Sequence, residues 1–387
     1  MGQTLLEIAE TLRDTNKKVQ LIYAFNGTGK TRLSRAFKEL ISPKDAAAED
    51  EEAAPLRVLY YNAYTEDLFF WDNDLEGDVE RKLSIRPNKF THLALEFLRE
   101  QGQDGNIATN FQRYAGDDIT PLLSPDFSEV TFSLTRGNDE NLNYIKVSKG
   151  EESNYIWCVF YSLLELVVET LNTAEPEERD VRQFDDLEYV FIDDPVSSLD
   201  DTHLIELAVN IAQLIKSSQS PELKFIVTTH NPLFFNVLHN ELDNKDLNSG
   251  YRPKHSEKWR LERAEDGTFV IFNNANDAPF SYHLFLFAEL ERAIVADELQ
   301  KYHFNFLRNI LEKTATFLGY TRWKDLLPEE APGSQTAYFN RIINLSSHSK
   351  ISSAEVSAIT EEDKRVLSRL VEILKVTFKF NSSLTNE

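Results

Sequence analysis

Residues 24–31, Ala24-Phe25-Asn26-Gly27-Thr28-Gly29-Lys30-Thr31, have the types and spacing to hold a polyphosphate. Gly27 and Gly29 free the backbone to turn its N–H groups toward phosphate oxygens. Lys30 reaches the β- and γ-phosphates, and the Thr31 hydroxyl is a hard oxygen ligand for Mg²⁺. The loop departs from G-x-x-x-x-G-K-[ST] at its first position, where Ala24 stands. An extended backbone there would accommodate the Cβ. Asp193 and Asp194 close one apolar run, and His230 follows another. A second set lies far downstream. Arg308 and Glu312, four residues apart, share one side of a helix. By themselves they read equally as a salt bridge, in the weaker Arg-before-Glu order. With His348, in the polar turn after an amphipathic helix, they make an Arg/Glu/His set. Metal-free RNA cleavage needs such a set: a base for the 2′-OH, an acid for the 5′-oxygen and a cation for the phosphorane.

These residues need elements to position them. Residues 19–23 read as a buried strand before the loop, and residues 32–37 as the start of a helix after it. Strands are expected at 57–62, 130–134, 187–194 and 224–229, with a helix over 202–217 between the last two. Strands alternating with helices predict an α/β fold with a mostly parallel, covered sheet. Lys30, Asp193 and His230 all follow strand ends, where such sheets bind nucleotides. Residues 4–15 predict an amphipathic helix carrying Leu5, Ile8, Ala9 and Leu12 on one face. The aromatic segment 64–72 is expected to pack on the core, and 86–115 to be helical. Ser148 opens a long helix as an N-cap, and Glu151 three residues later fits a capping box. Residues 45–55 are acidic and of low complexity, which predicts a surface loop. Short strands near 258–263 and 268–273 precede helices at 282–300, 301–320, 338–345 and 361–376. The spacing places a nucleotide-binding domain over 1–275 and a mainly helical domain over 276–387.

Composition bounds the rest. The 387 residues are 41% hydrophobic, enough for two domains. The single cysteine, Cys158, excludes a disulfide framework and a cysteine-based zinc site. No run of 18 apolar residues is seen, so no membrane span is expected. The first residues lack signal-peptide and myristoylation patterns, which predicts a cytoplasmic protein. A net charge of −23 argues against broad nucleic-acid binding and confines any such contact to a local basic site.

Together the motifs resemble an ABC-type ATPase. Residues 24–31 look like a Walker A loop and 189–194 like a Walker B strand. Ser148-Lys149-Gly150-Glu151 is similar to the signature motif, Ser198-Leu199-Asp200 to the D-loop and His230 to the switch histidine. Asn62 stands at the Q-loop position. The resemblance implies that Asn26 through Thr31, Ser148, Gly150, Glu151 and Asp200 contact nucleotide. Thr31 and Asp193 would hold Mg²⁺, Asp194 would orient or activate water, and His230 would meet the γ-phosphate. Most members carry Glu at the Asp194 position. The signature motif completes a neighbour's site, so a head-to-tail homodimer or higher oligomer is implied. No long coiled coil separates Walker A from Walker B, unlike chromosome-bridging ATPases.

The whole chain is similar to the PrrC family of bacterial anticodon nucleases, over residues 19–37, 58–72, 147–157, 189–208, 280–284, 302–320 and 341–349. The resemblance implies an ABC-type ATPase, with ATP, GTP or a deoxynucleotide effector and Mg²⁺, controlling a C-terminal ribonuclease. The family's catalytic residues fall on Arg308, Glu312 and His348, and an anticodon-recognition Asp falls near Asp277. It implies cleavage of tRNA, with tRNA-Lys expected, 5′ to the wobble base, leaving a 2′,3′-cyclic phosphate. It further implies silencing by a type I restriction–modification complex and a toxin role in phage defence. Residues 328–336 depart from the family. The alternative is a nucleotide-gated DNA-repair or defence ATPase with a DNase or protein-binding C-terminal domain. Against the DNase, 276–387 contain no D-x-D, and Glu361-Glu362-Asp363 suit a helix first turn.

Overall fold

The computed structural model describes residues 2–43, 55–72, 80–135, 141–179, 181–195, 201–264, 266–273, 282–346 and 359–380. The chain forms two compact units, Met1–Asp277 and Ala278–Glu387.

The first unit opens with α1 (Leu5–Asp14), β1 (Val19–Tyr23) and α2 (Lys30–Ile41). Then come β2 (Val58–Tyr61), β3 (Phe69–Asp72), β4 (Lys82–Ile85), α3 (Lys89–Glu100), α4 (Asp104–Ala115), β5 (Ile119–Leu123), β6 (Glu129–Thr135) and β7 (Asn141–Leu142). The long α5 (Lys149–Asn172) leads to β8 (Tyr189–Asp193), α6 (Asp201–Ser217), β9 (Lys224–Thr229), α7 (Pro232–Leu242), β10 (Ser256–Arg263) and β11 (Phe269–Asn273).

The main sheet runs β11-β10-β1-β9-β8-β2, with every pairing parallel except β10 with β11. Every residue of β1 and β8 is buried. That is why both read as mostly apolar runs, broken only by Gln20 in β1 and by Asp193 at the end of β8: helices cover each face of a parallel sheet. Successive residues serve opposite faces. Ile22 packs with Leu12 of α1 and Phe37 of α2, while Tyr23 meets Phe235 of α7 edge-on. The one buried amide of β1, Gln20, donates to the Leu12 carbonyl at 2.7 Å and accepts from the Trp259 indole at 3.1 Å. This is the mostly parallel, covered α/β sheet expected from the sequence.

A second, antiparallel sheet, β3-β4-β6-β5 with β7 beside β6, is absent from the sequence reading, which identified only its β6. Its other strands are two to five residues long. Two sequence expectations need correction. The helix over 86–115 is two helices, broken at Gly102, whose φ of +65° is the left-handed conformation glycine adopts readily. The segment 64–72 is a 3₁₀ turn and a strand; Phe69 is buried, but Phe70 is exposed under the Arg86 guanidinium. The helix α5 is long and apolar enough by length and composition to cross a membrane, but 83% of its most apolar stretch is buried inside the unit, which does not overturn the expectation of no span. It serves as a core helix.

The second unit is helical: α8 (Tyr282–Val295), α9 (His303–Phe317), α10 (Ser334–Ser346) and α11 (Glu361–Phe378), with a 3₁₀ turn at Trp323–Leu326. Leu286, Leu290, Leu307, Ile310, Leu311, Ile342, Leu367 and Leu370 form its core. The start of α10 lies inside 328–336, so part of that segment is helix.

Candidate nucleotide and nuclease sites

The phosphate loop hangs between β1 and α2. Ala24 donates its N–H to the Thr229 carbonyl at 3.0 Å, which aligns the ends of β1 and β9. Ala24 is fully buried and is not among the residues in the left-handed region, so its Cβ fills core where the usual glycine would leave space. Gly27 and Gly29 have φ of +81° and +116°. At Gly29 a Cβ would come within 3.2 Å of the Phe269 ring. Gly29 also caps α2 without a side chain. The first-turn N–H groups of α2 thus meet no side-chain acceptor from their cap, which leaves an anion site.

Lys30 is buried, and its ammonium turns back onto the loop. It donates to the Ala24 carbonyl at 3.2 Å, the Phe25 carbonyl at 3.4 Å and Asn26 Oδ1 at 3.2 Å, and pairs with Asp194 at 3.3 Å. Asp193 is buried at the end of β8. It accepts from Thr228 Oγ1 at 2.6 Å, from Ser34 Oγ at 3.3 Å and from Thr31. The Tyr60 hydroxyl lies 2.7 Å from Ser34 Oγ and extends that chain. Burial raises the Asp193 pKa, outweighing these hydrogen bonds. A buried carboxylate beside a Thr hydroxyl, both oxygen donors, suits Mg²⁺.

Asp194 has φ +55°. Its carboxylate accepts from His230 Nδ1 at 2.6 Å and from the His230 N–H at 3.3 Å. Burial pushes its pKa up, but His230 and Lys30 more than offset this and hold it below the usual carboxylate value. The structure therefore brings Asn26–Thr31, Asp193, Asp194 and His230 into one cluster. Asn62 is buried, and its Oδ1 accepts from the Thr65 N–H at 3.1 Å. Asp200 lies outside the described residues.

Ser148 caps α5. Its Oγ accepts from the Glu151 N–H at 3.3 Å, and Glu151 accepts from the Ser148 N–H at 2.6 Å, a complete capping box with Gly150 in the first turn. Next to it, Glu152 accepts from Lys149 at 2.7 Å and from the Trp71 indole at 2.9 Å. The small antiparallel sheet thus anchors the signature-like turn through β3. Sequence reasoning missed Ser34, Tyr60 and Thr228 as the residues that orient Asp193. The Thr228-Thr229-His230 run at a strand end was the available signal.

In the second unit, α9 buries Phe304, Leu307, Ile310, Leu311 and Ala315 and leaves Arg308 and Glu312 half-exposed on its flank. Arg308 Nε donates to Glu312 Oε1 at 2.8 Å. His348 and Asp277 lie outside the described residues. His303, at the start of α9 and five residues before Arg308, is buried; its Nδ1 accepts from the Gln300 N–H at 2.8 Å, and burial lowers its pKa. A groove runs beside Glu312, lined also by Tyr320, Arg322, Trp323, Lys324 and Phe339.

A family model described as an AAA domain matches residues 107–376. The chain is 52% identical over 399 residues to the protein named "Anticodon nuclease" of Escherichia coli, covering 97% of each. Among solved structures it is similar to an Smc head bound to the C-winged helix domain of ScpA, at 12% identity, over 67% of this chain and 91% of that one, with a TM-score of 0.32. It is also similar to the SMC head domain of Thermotoga maritima, at 15% identity, with the same coverage and a TM-score of 0.29.

Proposed function

The chain belongs to the anticodon nuclease family, and from that premise we propose that it is a nucleotide-controlled tRNA endoribonuclease. The observation that carries this reading is the end-to-end match, which takes in both the nucleotide cluster and the helix bearing Arg308 and Glu312. In this proposal the substrate is the anticodon stem-loop of tRNA, with tRNA-Lys the expected isoacceptor. The break falls 5′ to the wobble base and leaves a 2′,3′-cyclic phosphate and a 5′-hydroxyl.

The chemistry follows from the residue types. Glu312 and His348 divide the proton transfers at the 2′-OH and the 5′-oxygen, each step contributing on the order of 10²–10⁴-fold. Arg308 lies against Glu312 and offers its guanidinium to the charge that builds on the phosphorane. Their half-exposed position on the α9 flank supports this use, because an RNA strand can reach them. Asp277 belongs to anticodon recognition, and the proposed domain boundary at 275/276 falls two residues before the division between the two compact units.

In the first unit, the loop and the first turn of α2 bind the triphosphate of ATP, GTP or a deoxynucleotide effector. Mg²⁺ held by Thr31 and Asp193 would neutralise charge on the β/γ-phosphates. Asp194 orients or activates the water, steadied by His230. Ser148, Gly150 and Glu151 complete a partner copy's site in a head-to-tail dimer, with Asp200 at the same interface. A type I restriction–modification complex is the silencing partner, and the setting is cytoplasmic phage defence.

Mapping the 3′ ends of total RNA after induced expression tests the reading. The expected result is new ends inside one tRNA anticodon loop, bearing cyclic phosphate. Intact tRNA with DNA breaks instead would favour the DNase alternative.

A further inference from the structure

We propose that the groove beside Glu312 seats one nucleotide flanking the scissile bond, its base against Tyr320, Trp323 and Phe339 and its phosphate against Arg322 and Lys324. This rests on the tRNA-cleaving reading above. The groove has a volume of about 580 Å³, and Glu312 forms part of its wall. An occupant therefore lies directly against a residue assigned to the chemistry.

The lining has the two properties that a single-stranded nucleotide needs. The first is a fixed aromatic surface. The Trp323 and Phe339 rings lie 4.7 Å apart at 35°, and both pack on the core of the unit, so their orientation is set before any ligand arrives. Tyr320 stands 48% exposed at the same groove. Bases of any sequence stack on such rings. The second is local positive charge. The Arg322 side chain is 70% exposed and pairs with Asp325 at 3.0 Å. Lys324 lies 5.7 Å from the Phe339 ring centroid, and its ammonium donates to Thr336 Oγ1 at 2.9 Å, which holds it over the aromatic surface. In a chain of net charge −23, the run Tyr320-Thr321-Arg322-Trp323-Lys324 alternates rings and cations. An acidic protein that must hold an RNA strand needs this kind of local exception. A rigid ring pair beside exposed cations suits an anionic ligand better than an apolar peptide, which brings no acceptor to either cation.

The test uses the full chain, a synthetic anticodon stem-loop and the variants Tyr320→Ala and Lys324→Ala. Both side chains are peripheral to the core, and melting curves check that each variant folds. The expected result is a KM raised about tenfold for Tyr320→Ala with kcat nearly unchanged, the loss of one stacked base. An abasic nucleotide next to the cut should weaken cleavage by the wild type but add nothing to Tyr320→Ala. Lys324→Ala should reduce the salt dependence of KM by a slope of about 0.7, one single-strand phosphate contact. Unchanged KM and unchanged salt slope in folded variants would overturn the proposal while the wild type still cuts. A wild type that cuts no RNA would instead overturn the tRNA-cleaving reading itself.

Discussion

Asp193 and Asp194 are neighbours in sequence with opposite electrostatics. Asp193 is buried and its pKa is raised by that burial. Asp194, despite burial, is held low by His230 and Lys30. The linkage signs follow. With a raised folded pKa, Asp193 favours folding while protonated, and that contribution is lost as pH rises through its folded pKa. With a lowered folded pKa, Asp194 stabilises above its unfolded pKa, and that contribution is lost as pH falls through its folded value. In Mg²⁺-free buffer, Asp193→Asn should therefore raise the melting temperature near neutral pH, and Asp194→Asn should lower it. Both differences should shrink as the buffer is taken down into the carboxylate range. Melts of the two variants against the wild type over that span check the prediction; shifts of the same sign at neutral pH would contradict the assigned geometry. Asp194→Asn should also slow nucleotide hydrolysis by about 100-fold or more, because its amide cannot accept a proton.

The pair on α9 separates a structural from a catalytic role at the scale of one element. A half-exposed i,i+4 ion pair contributes roughly 0.3–0.5 kcal/mol. Arg308→Ala and Glu312→Ala should thus leave the melting temperature within a degree or two, by roughly the conversion for a domain of this size. The same variants should abolish tRNA cleavage and keep nucleotide hydrolysis. Residual cleavage near the wild-type rate would reduce the pair to an ordinary helix contact. By contrast, Leu311→Ala on the buried face should cost about 2–5 kcal/mol and lower melting temperature and cleavage together. What was legible in the sequence divides by the range of the physics. The loop, the ends of β1, β8 and β9, and the Ser148 cap were legible because turn chemistry, two-sided burial and capping act within a few residues. The small antiparallel sheet was not, because β3, β4 and β5 gain stability from pairing across the unit rather than from their own pattern. The split between α3 and α4 was available in Gly102, which the apolar periodicity of 86–115 outweighed. The groove at α9 was illegible because it joins Glu312, Trp323 and Phe339 from three separate segments.

At the scale of the molecule, the proposed control requires that nucleotide be seen by two chains. Lys30 is occupied by its own loop and by Asp194, so phosphate must displace those contacts to recruit the ammonium. The cap of α5 is likewise internally paired through Ser148 and Glu151, and α5 is anchored through Glu152 to Trp71. If those two elements meet across a head-to-tail dimer, each composite site takes its loop from one chain and its signature turn from the other. Lys30→Ala removes the loop's charge, and Ser148→Arg places a bulky cation where the other chain's nucleotide would dock. Each variant alone should be inactive in nucleotide hydrolysis and in nucleotide-triggered tRNA cleavage. A mixture of the two should recover hydrolysis, because in a mixed dimer both lesions fall on one composite site and leave the other intact. Recovery should appear only after the chains have exchanged, and only with nucleotide present. A mixture as inactive as its parts, with exchange demonstrated by differently tagged chains, would mean that Ser148 serves its own chain as a helix cap and nothing more. In that case the head-to-tail dimer should be abandoned.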